Sequence, residues 1–274
     1  RVAAGVTARS RQRRHLARPW TGSDADAGRA PVELAIEEPM AIELDGVRVA
    51  TTMRTPGHDF ELAVGFCHGD GLLAGHRVER VRYCATGSTA TTGVDVVSVS
   101  TGGRAPAPTP RLTATSSSCG FCGTAELDEL AGPLEPVVGP PVAWSLLADA
   151  PDALRRSQEL FDRTGAVHAA AVFDTAAGGG PAVTLVRADV GRHNAVDKVV
   201  GRLALDDELP ATGRGLVVSG RASFELVQKA GAAGFRALVA VSAPTALAVA
   251  TAERAGMQLA GFARDGQLTV YVDG

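Results

Sequence analysis

Cys119 and Cys122 lie two residues apart, a glycine follows each of them (Gly120 and Gly123), and Ser116, Ser117 and Ser118 lead in. Two sulfurs at this spacing can exchange as a disulfide, ligate a metal, or hold a sulfur atom as a persulfide. A thioredoxin-like redox pair should follow an apolar strand inside a β–α–β unit, whereas residues 113–118 are small or polar. Structural zinc asks for four ligands, usually with a second close pair. The other two cysteines, Cys67 and Cys84, are far apart in the chain, and helical spacing turns Cys67 inward. Both are expected as packed core thiols. The attacking species in sulfur transfer is a thiolate, favoured near a helix N-terminus. A short helix is expected over 124–130, capped by Thr124. The glycines and serines keep the pair on a mobile, wet arm, which suits relay of sulfur between two other molecules.

A second constellation spans 189–198, where an expected strand ends and an expected helix begins. It holds Arg192, His193, Asn194 and Lys198; Asn194 is the only asparagine, and Lys198 is one of two lysines among 27 basic residues. Free N–H groups at a helix start attract anions, and Arg192 adds a planar fork of donors. Ser219, Gly220 and Arg221 repeat the arrangement of strand, glycine, arginine and helix start. Two such starts at the carboxyl ends of neighbouring strands should converge on one crevice. Its ligand should be anionic, a nucleotide or pyrophosphate. Taken singly, His193 and Asp197 stand one turn apart and can equally brace their helix. A third strand end, at Phe262, Ala263, Arg264, Asp265, Gly266 and Gln267, reads as a hairpin turn.

The elements that must position these residues follow from apolar rhythm. Residues 1–30 lack it and read as a flexible basic tail. Strands are expected over 34–44 and 47–53, joined by Asp45 and Gly46, a strong hairpin signal. A helix follows over 59–67, then strands near 78–83 and 94–96. Prolines and glycines at 101–110 make a loop or linker. Beyond the thiols, a helix is expected over 152–164 with Leu154, Leu160 and Phe161 inward. Strands at 169–173, 182–186, 216–218, 237–241, 259–262 and 268–272 alternate with helices at 193–205, 222–233 and 244–255. That alternation predicts an α/β fold with a mostly parallel central sheet, beside a smaller N-terminal α+β unit. The expected organisation is a tail at 1–30, a small domain at 31–110, a thiol loop at 111–135 and a larger domain at 136–274.

Composition excludes several classes. The 274 residues suffice for one large domain or two ordinary ones. A net charge of -3 and 4% aromatic residues argue against nucleic acid as a partner. Four cysteines are no disulfide framework. No 18-residue apolar run is present and no apolar segment follows Arg13 and Arg14, so neither a membrane span nor an export signal is expected. A cytoplasmic protein with reduced thiols is the expectation.

Five segments in order resemble one family, the FdhD/NarQ accessory proteins of formate dehydrogenase. They are Glu38-Pro39; Met53 to Pro56; Glu61 to Phe66; Ser118 to Gly123; and Asp189 to Lys198 with Ser219 to Arg221. The resemblance implies a sulfurtransferase that takes persulfide sulfur from a cysteine desulfurase. It passes that sulfur to molybdenum bis(molybdopterin guanine dinucleotide), the cofactor of formate dehydrogenase, which the protein binds as client. It implies Cys119 as carrier and a cofactor loop at Phe262 to Gln267. Cys122 is expected either to tune the Cys119 thiolate or to resolve its persulfide by exchange, and no structural metal and a homodimer are expected. Ala263 and Asp265 depart from the residues some members carry there. The resemblance also implies a cytidine-deaminase-like scaffold for the larger domain without its zinc chemistry, since Asn194-Ala195 follow His193 and Ser118 precedes Cys119. The alternative of another class is a chaperone that delivers the cofactor without transferring sulfur.

Overall fold

The computed structural model describes residues 10–20, 28–84, 94–107, 134–175 and 181–274. The thiol pair Cys119 and Cys122, the helix expected at 124–130 and part of the proline-rich loop lie outside the described residues. The described residues build two larger sheets and a ribbon. The four-stranded sheet has the order β4-β3-β6-β5, from β3 (Glu38–Leu44), β4 (Val47–Arg54), β5 (Arg80–Tyr83) and β6 (Asp95–Ser100). Its β3–β4 hairpin turns at Asp45 and Gly46, both with positive φ, the two-residue turn that the Asp-Gly pair predicts. The six-stranded sheet has the order β12-β11-β10-β9-β7-β8. Its members are β7 (His168–Thr175), β8 (Pro181–Asp189), β9 (Gly215–Val218), β10 (Ala237–Ala240), β11 (Gln258–Arg264) and β12 (Gln267–Val272).

Helix α1 (Asp59–Gly69) buries Leu62, Ala63, Val64 and Cys67 against Met40, Ile42, Leu44, Val97 and Val99 of the first sheet. On the second sheet, α4 (Arg192–Leu205), α5 (Phe224–Ala232) and α6 (Ala246–Ala255) cover one face through Val196, Val199, Leu226, Ala230, Ala248 and Ala252. The other face is covered by α2 (Trp144–Arg156), through Leu146, Leu147, Ala150 and Leu154. A short α3 (Glu159–Thr164) follows, stopped by Gly165 in the left-handed conformation.

Four sequence expectations are corrected. The sheet is mixed rather than mostly parallel: β9, β10 and β11 run parallel, but β12, β7 and β8 are antiparallel to their neighbours. The expected flexible tail contains β1 (Gln12–Ala17), which pairs with β2 (Ala30–Ala35). This strand is polar, and its order comes from the partner's backbone groups rather than from an apolar face. The expected helix at 152–164 is two, because the stripe Leu147, Ala150 and Leu154 carries α2 through Pro151 and the helix ends before Ser157. In α3, Leu160 and Phe161 are only half-buried. Finally, Cys67 is a core thiol, raised to about 12 by burial and the carboxylates of Asp70 and Asp197. Cys84 is not; it is half-buried, its Sγ 3.8 Å from a Glu43 carboxylate oxygen.

Helices α1 and α4 join the two halves. A Cβ added at Gly65 would sit 1.8 Å from Asp197 O, and one at Gly201 would sit 1.8 Å from Glu61 O. The two helix backbones touch through reciprocal glycines, so only the smallest residue fits at either position. Beside this crossing, Arg187 of β8 makes a two-pronged ion pair with Glu61 of α1. Burial alone would raise the Glu61 carboxyl, but hydrogen bonds from Arg187 and His58 outweigh it and hold the group at about 2.

Alanine at Gly65 or Gly201 tests the crossing. Helix propensity alone would stabilise either variant by up to about 1 kcal/mol. The clash is with backbone, so overpacking should win and cost at least about 2 kcal/mol, read as a lowered urea midpoint. Gly28→Ala, with nothing within 4 Å of the added methyl, should leave the midpoint unchanged. The Glu61 ion pair should contribute on the order of 3 kcal/mol above the unfolded carboxylate pKa and lose it as pH falls toward 2. Glu61→Gln should therefore flatten the acid limb of the stability–pH curve below about pH 5. An unchanged acid limb would contradict the pairing.

Candidate functional site

The parallel strands β9, β10 and β11 end on one edge of the six-stranded sheet. His168, which opens β7, pairs with Asp189, which closes β8, and Ala170 pairs with Val218 at the end of β9. The edge therefore collects the start of β7, the end of β8 and the ends of three parallel strands. Beyond the strands the backbones stay in register: Ser242 N donates to Gly220 O (3.2 Å), and Phe262 N donates to Ser242 O (3.2 Å). The loops expected at Ser219 to Arg221 and at Phe262 to Gln267 are thus laid side by side, with Val241 to Thr245 between them. That middle segment was not singled out from sequence, although it repeats the passage from buried strand to helix cap. Thr245 caps α6 by accepting from Ala248 N.

Phe262 has φ +50, within a register shift between β11 and β12, and its side chain is exposed. A bulge with a non-glycine residue in the left-handed region is costly and aims a side chain outward. The approach behind it is close: a Cβ at Gly261 would meet Pro244 Cδ at 2.8 Å and Ser242 O at 2.9 Å. Arg264 and Gln267 are exposed, and Asp265 and Gly266 form a positive-φ turn between them. The hairpin reading of this segment describes its backbone. Ala263 faces inward, fully buried against the α2 side of the core, so its side chain offers nothing to a ligand.

The loop into α4 is held from within. Asp189 accepts from Gly191 N (2.8 Å), Asn194 Nδ2 (3.0 Å) and Thr55 N (3.1 Å), and pairs with Lys198 Nζ at 2.6 Å. Lys198 also donates to Thr55 O (2.9 Å), Val190 N donates to Thr55 Oγ1 (3.1 Å), and Asn194 donates to Met53 O (2.8 Å). Lys198 is fully buried, and burial draws it below its usual value against the attraction of Asp189. Asn194 and Lys198, expected to meet a ligand, instead fasten α4 to residues 53–55 of the first half. At 0% exposure the Lys198 ammonium, paired with Asp189 and Thr55, has no face left for solvent. Ser219 is likewise engaged, its Oγ accepting from Ala169 N at 2.9 Å.

Arg192, His193, Gly220 and Arg221 remain at the edge. Arg221 is exposed, while Arg192 is half-buried and its Nε is enclosed without a hydrogen-bond partner among the described residues. His193 Nε2 lies 2.6 Å from Glu225 Oε2 and 3.3 Å from Ser223 Oγ. His168 is close by: a Cβ at Gly220 would sit 3.3 Å from its Nδ1. Burial, reinforced by Arg192 and His193, lowers the His168 pKa, so that imidazole is neutral at pH 7. His168 and Glu225 are additions that sequence reading passed over. Each adjoins a noted motif, at a strand start or in the first turn of a helix. One turn deeper, Lys229 of α5 binds Asp197 of α4 (2.8 Å) and Asp70 at the end of α1 (2.9 Å). The edge can therefore present two guanidinium groups, two helix N-termini and an exposed aromatic ring, a set suited to a phosphate-bearing ligand with a planar base.

Comparison with known proteins gives a consistent neighbourhood. The family model described as the FdhD/NarQ family matches residues 35–274. A protein named sulfur carrier protein FdhD from Streptomyces coelicolor is 48% identical over 258 residues, covering 90% of each chain. Another of that name from Mycobacterium tuberculosis is 45% identical over 254 residues, covering 88% of this chain and 90% of that one. A solved structure from Desulfotalea psychrophila, named for a role accessory to formate dehydrogenase, has a TM-score of 0.75 at 21% identity. The match covers 96% of this chain and 98% of that one, and shows the shared fold.

The Asp189–Lys198 pair carries the second stability test. Removing one partner of a buried ion pair costs about 3–5 kcal/mol. Asp189→Ala should lie at the high end, because it strands the lysine and frees three donors. Lys198→Met should cost less, since Asp189 keeps its N–H donors. Chemical denaturation reads both, and two variants as stable as wild type would show that the pair does not hold the loop.

Proposed function

The chain belongs to the FdhD/NarQ family, and from that premise we propose that it is a sulfur carrier in formate dehydrogenase maturation, acting in the cytoplasm. Cys119 attacks the outer sulfur of a persulfide on a cysteine desulfurase. The donor's S–S bond breaks, the donor leaves as a thiolate, and Cys119 keeps the sulfur as a persulfide. Cys122 then attacks the inner sulfur of Cys119 and releases the outer one as hydrosulfide toward the molybdenum of the client cofactor. The resulting Cys119–Cys122 disulfide must be reduced by a cellular dithiol.

The observation that supports a binding role beside the thiols is the continuous edge Gly220, Ser242, Phe262, flanked by the starts of α4 and α5. In this reading Arg192 and Arg221 take the phosphates of molybdenum bis(molybdopterin guanine dinucleotide), and the Phe262 ring stacks on a guanine. The Nε of Arg192, without a hydrogen-bond partner among the described residues, fits an anionic client. Asn194, Lys198 and Ala263 act behind this surface. The names of the relatives, sulfur carrier protein FdhD, agree with the proposal.

Mass spectrometry after incubation with a cysteine desulfurase and cysteine tests the carrier. Wild type should gain one sulfur, labile to a thiol reductant, and Cys119→Ala should lose that gain by at least about tenfold. A wild-type gain in Cys119→Ala would refute the assignment. Full activation of formate dehydrogenase by a Cys119→Ala/Cys122→Ala double variant would favour the chaperone alternative.

A further inference from the structure

Among the described residues of this edge, Glu225 is a carboxylate held against a histidine of the neighbouring helix start. It stands in the first turn of α5, 51% exposed at its side chain, and reaches across to His193 in the first turn of α4 at 2.6 Å. The contact bridges the starts of two helices whose free N–H groups favour an anion. Arg192 and His168 lie within electrostatic reach of it or of His193. One turn deeper the same two helices repeat the pairing with the signs exchanged, Asp197 on α4 against Lys229 on α5. The two rungs differ in kind. The inner one is buried and shared with Asp70, so it fixes the helix pair. The outer one is open to solvent, where ion pairs are weak and easily broken.

We propose that Glu225 is a resident counter-anion that occupies the His193 Nε2 position a phosphate of the ligand takes, so that binding must displace it. The inference rests on reading this edge as a phosphate-binding crevice. Two consequences follow. Before a ligand enters, Glu225 holds a negative charge beside Arg192 and ties the two helix starts together. A ligand with a single weak anionic contact cannot repay the broken Glu225–His193 pair, whereas a diphosphate that also engages Arg192 and Arg221 can. Glu225 thereby acts as a specificity-determining residue that discriminates against small anions.

Titration of the full chain with guanosine diphosphate and with inorganic phosphate, followed by calorimetry, tests this. Glu225→Gln keeps the side chain's shape and removes its charge; it should bind guanosine diphosphate about three- to tenfold more tightly than wild type, through loss of one competing carboxylate contact and one repulsion. Glu225→Ala should bind at least as tightly. In a His193→Gln background the gain from Glu225→Gln should largely vanish. Wild-type binding with equal or weaker affinity in both Glu225 variants would overturn the displacement while leaving the crevice intact. No binding by wild type or by any variant would overturn the crevice reading and this inference with it. Binding by the Glu225 variants alone would support both.

Discussion

The buried pair of Asp189 and Lys198 is the constraint on which the functional edge depends. Asp189 closes β8, caps the loop into α4 through Gly191 and Asn194, and receives Thr55 from the other half of the chain. Lys198 binds the same threonine from the next turn of α4. One ion pair thus sets where α4 begins, which way its first turn faces, and how the first sheet meets the second. Such a pair is no large source of net stability, because both charges are desolvated. Its effect is on geometry. With Asp189 accepting from Gly191, Asn194 and Thr55 while pairing with Lys198, the loop is pinned, and Arg192 and His193 leave it in a fixed direction.

The glycine crossing and the charge rungs act on the same helix. Gly65 and Gly201 bring α1 against α4 at backbone contact, and Lys229 draws Asp70, just past the end of α1, and Asp197 of α4 to α5. Arg54, fully buried, binds Asp59 at the start of α1 together with Asp95 and Glu38 of the first sheet. The first half therefore serves as a mount for α4. Residues 53–55 do not approach the strand edge as ligands; they hold the element that does. Met53 and Thr55 hold that loop from far away in the chain, Thr55 and Asp189 being 134 positions apart.

Much of this was legible from residue pattern. The valine spacing of α4 and the Asp-Gly turns of both hairpins predict what the structure contains, because helical period and turn chemistry are local. The rarity of Asn194 and Lys198 marked them as special in a chain biased toward arginine, but rarity does not say whether a side chain points outward. Only the pairing of Lys198 with a distant loop shows that it points in. The mixed sheet escaped for a related reason: β7 and β8 carry the same apolar rhythm whether parallel or antiparallel to β9. The polar β1 had no rhythm to read. Glu225 and His168 escaped because a charged residue in a first helical turn, or a histidine ahead of a strand, is ordinary until a partner appears across the edge.

The central claim is that Gly220, Ser242 and Phe262 form one ligand-binding edge with the starts of α4 and α5. Hydrogen–deuterium exchange of the full chain, with and without guanosine diphosphate, tests it most directly. The account predicts slowed exchange together in 191–194, 219–225, 242–245 and 261–264, with no change in the four-stranded sheet. Protection confined to other segments, or none at saturating nucleotide, would contradict it.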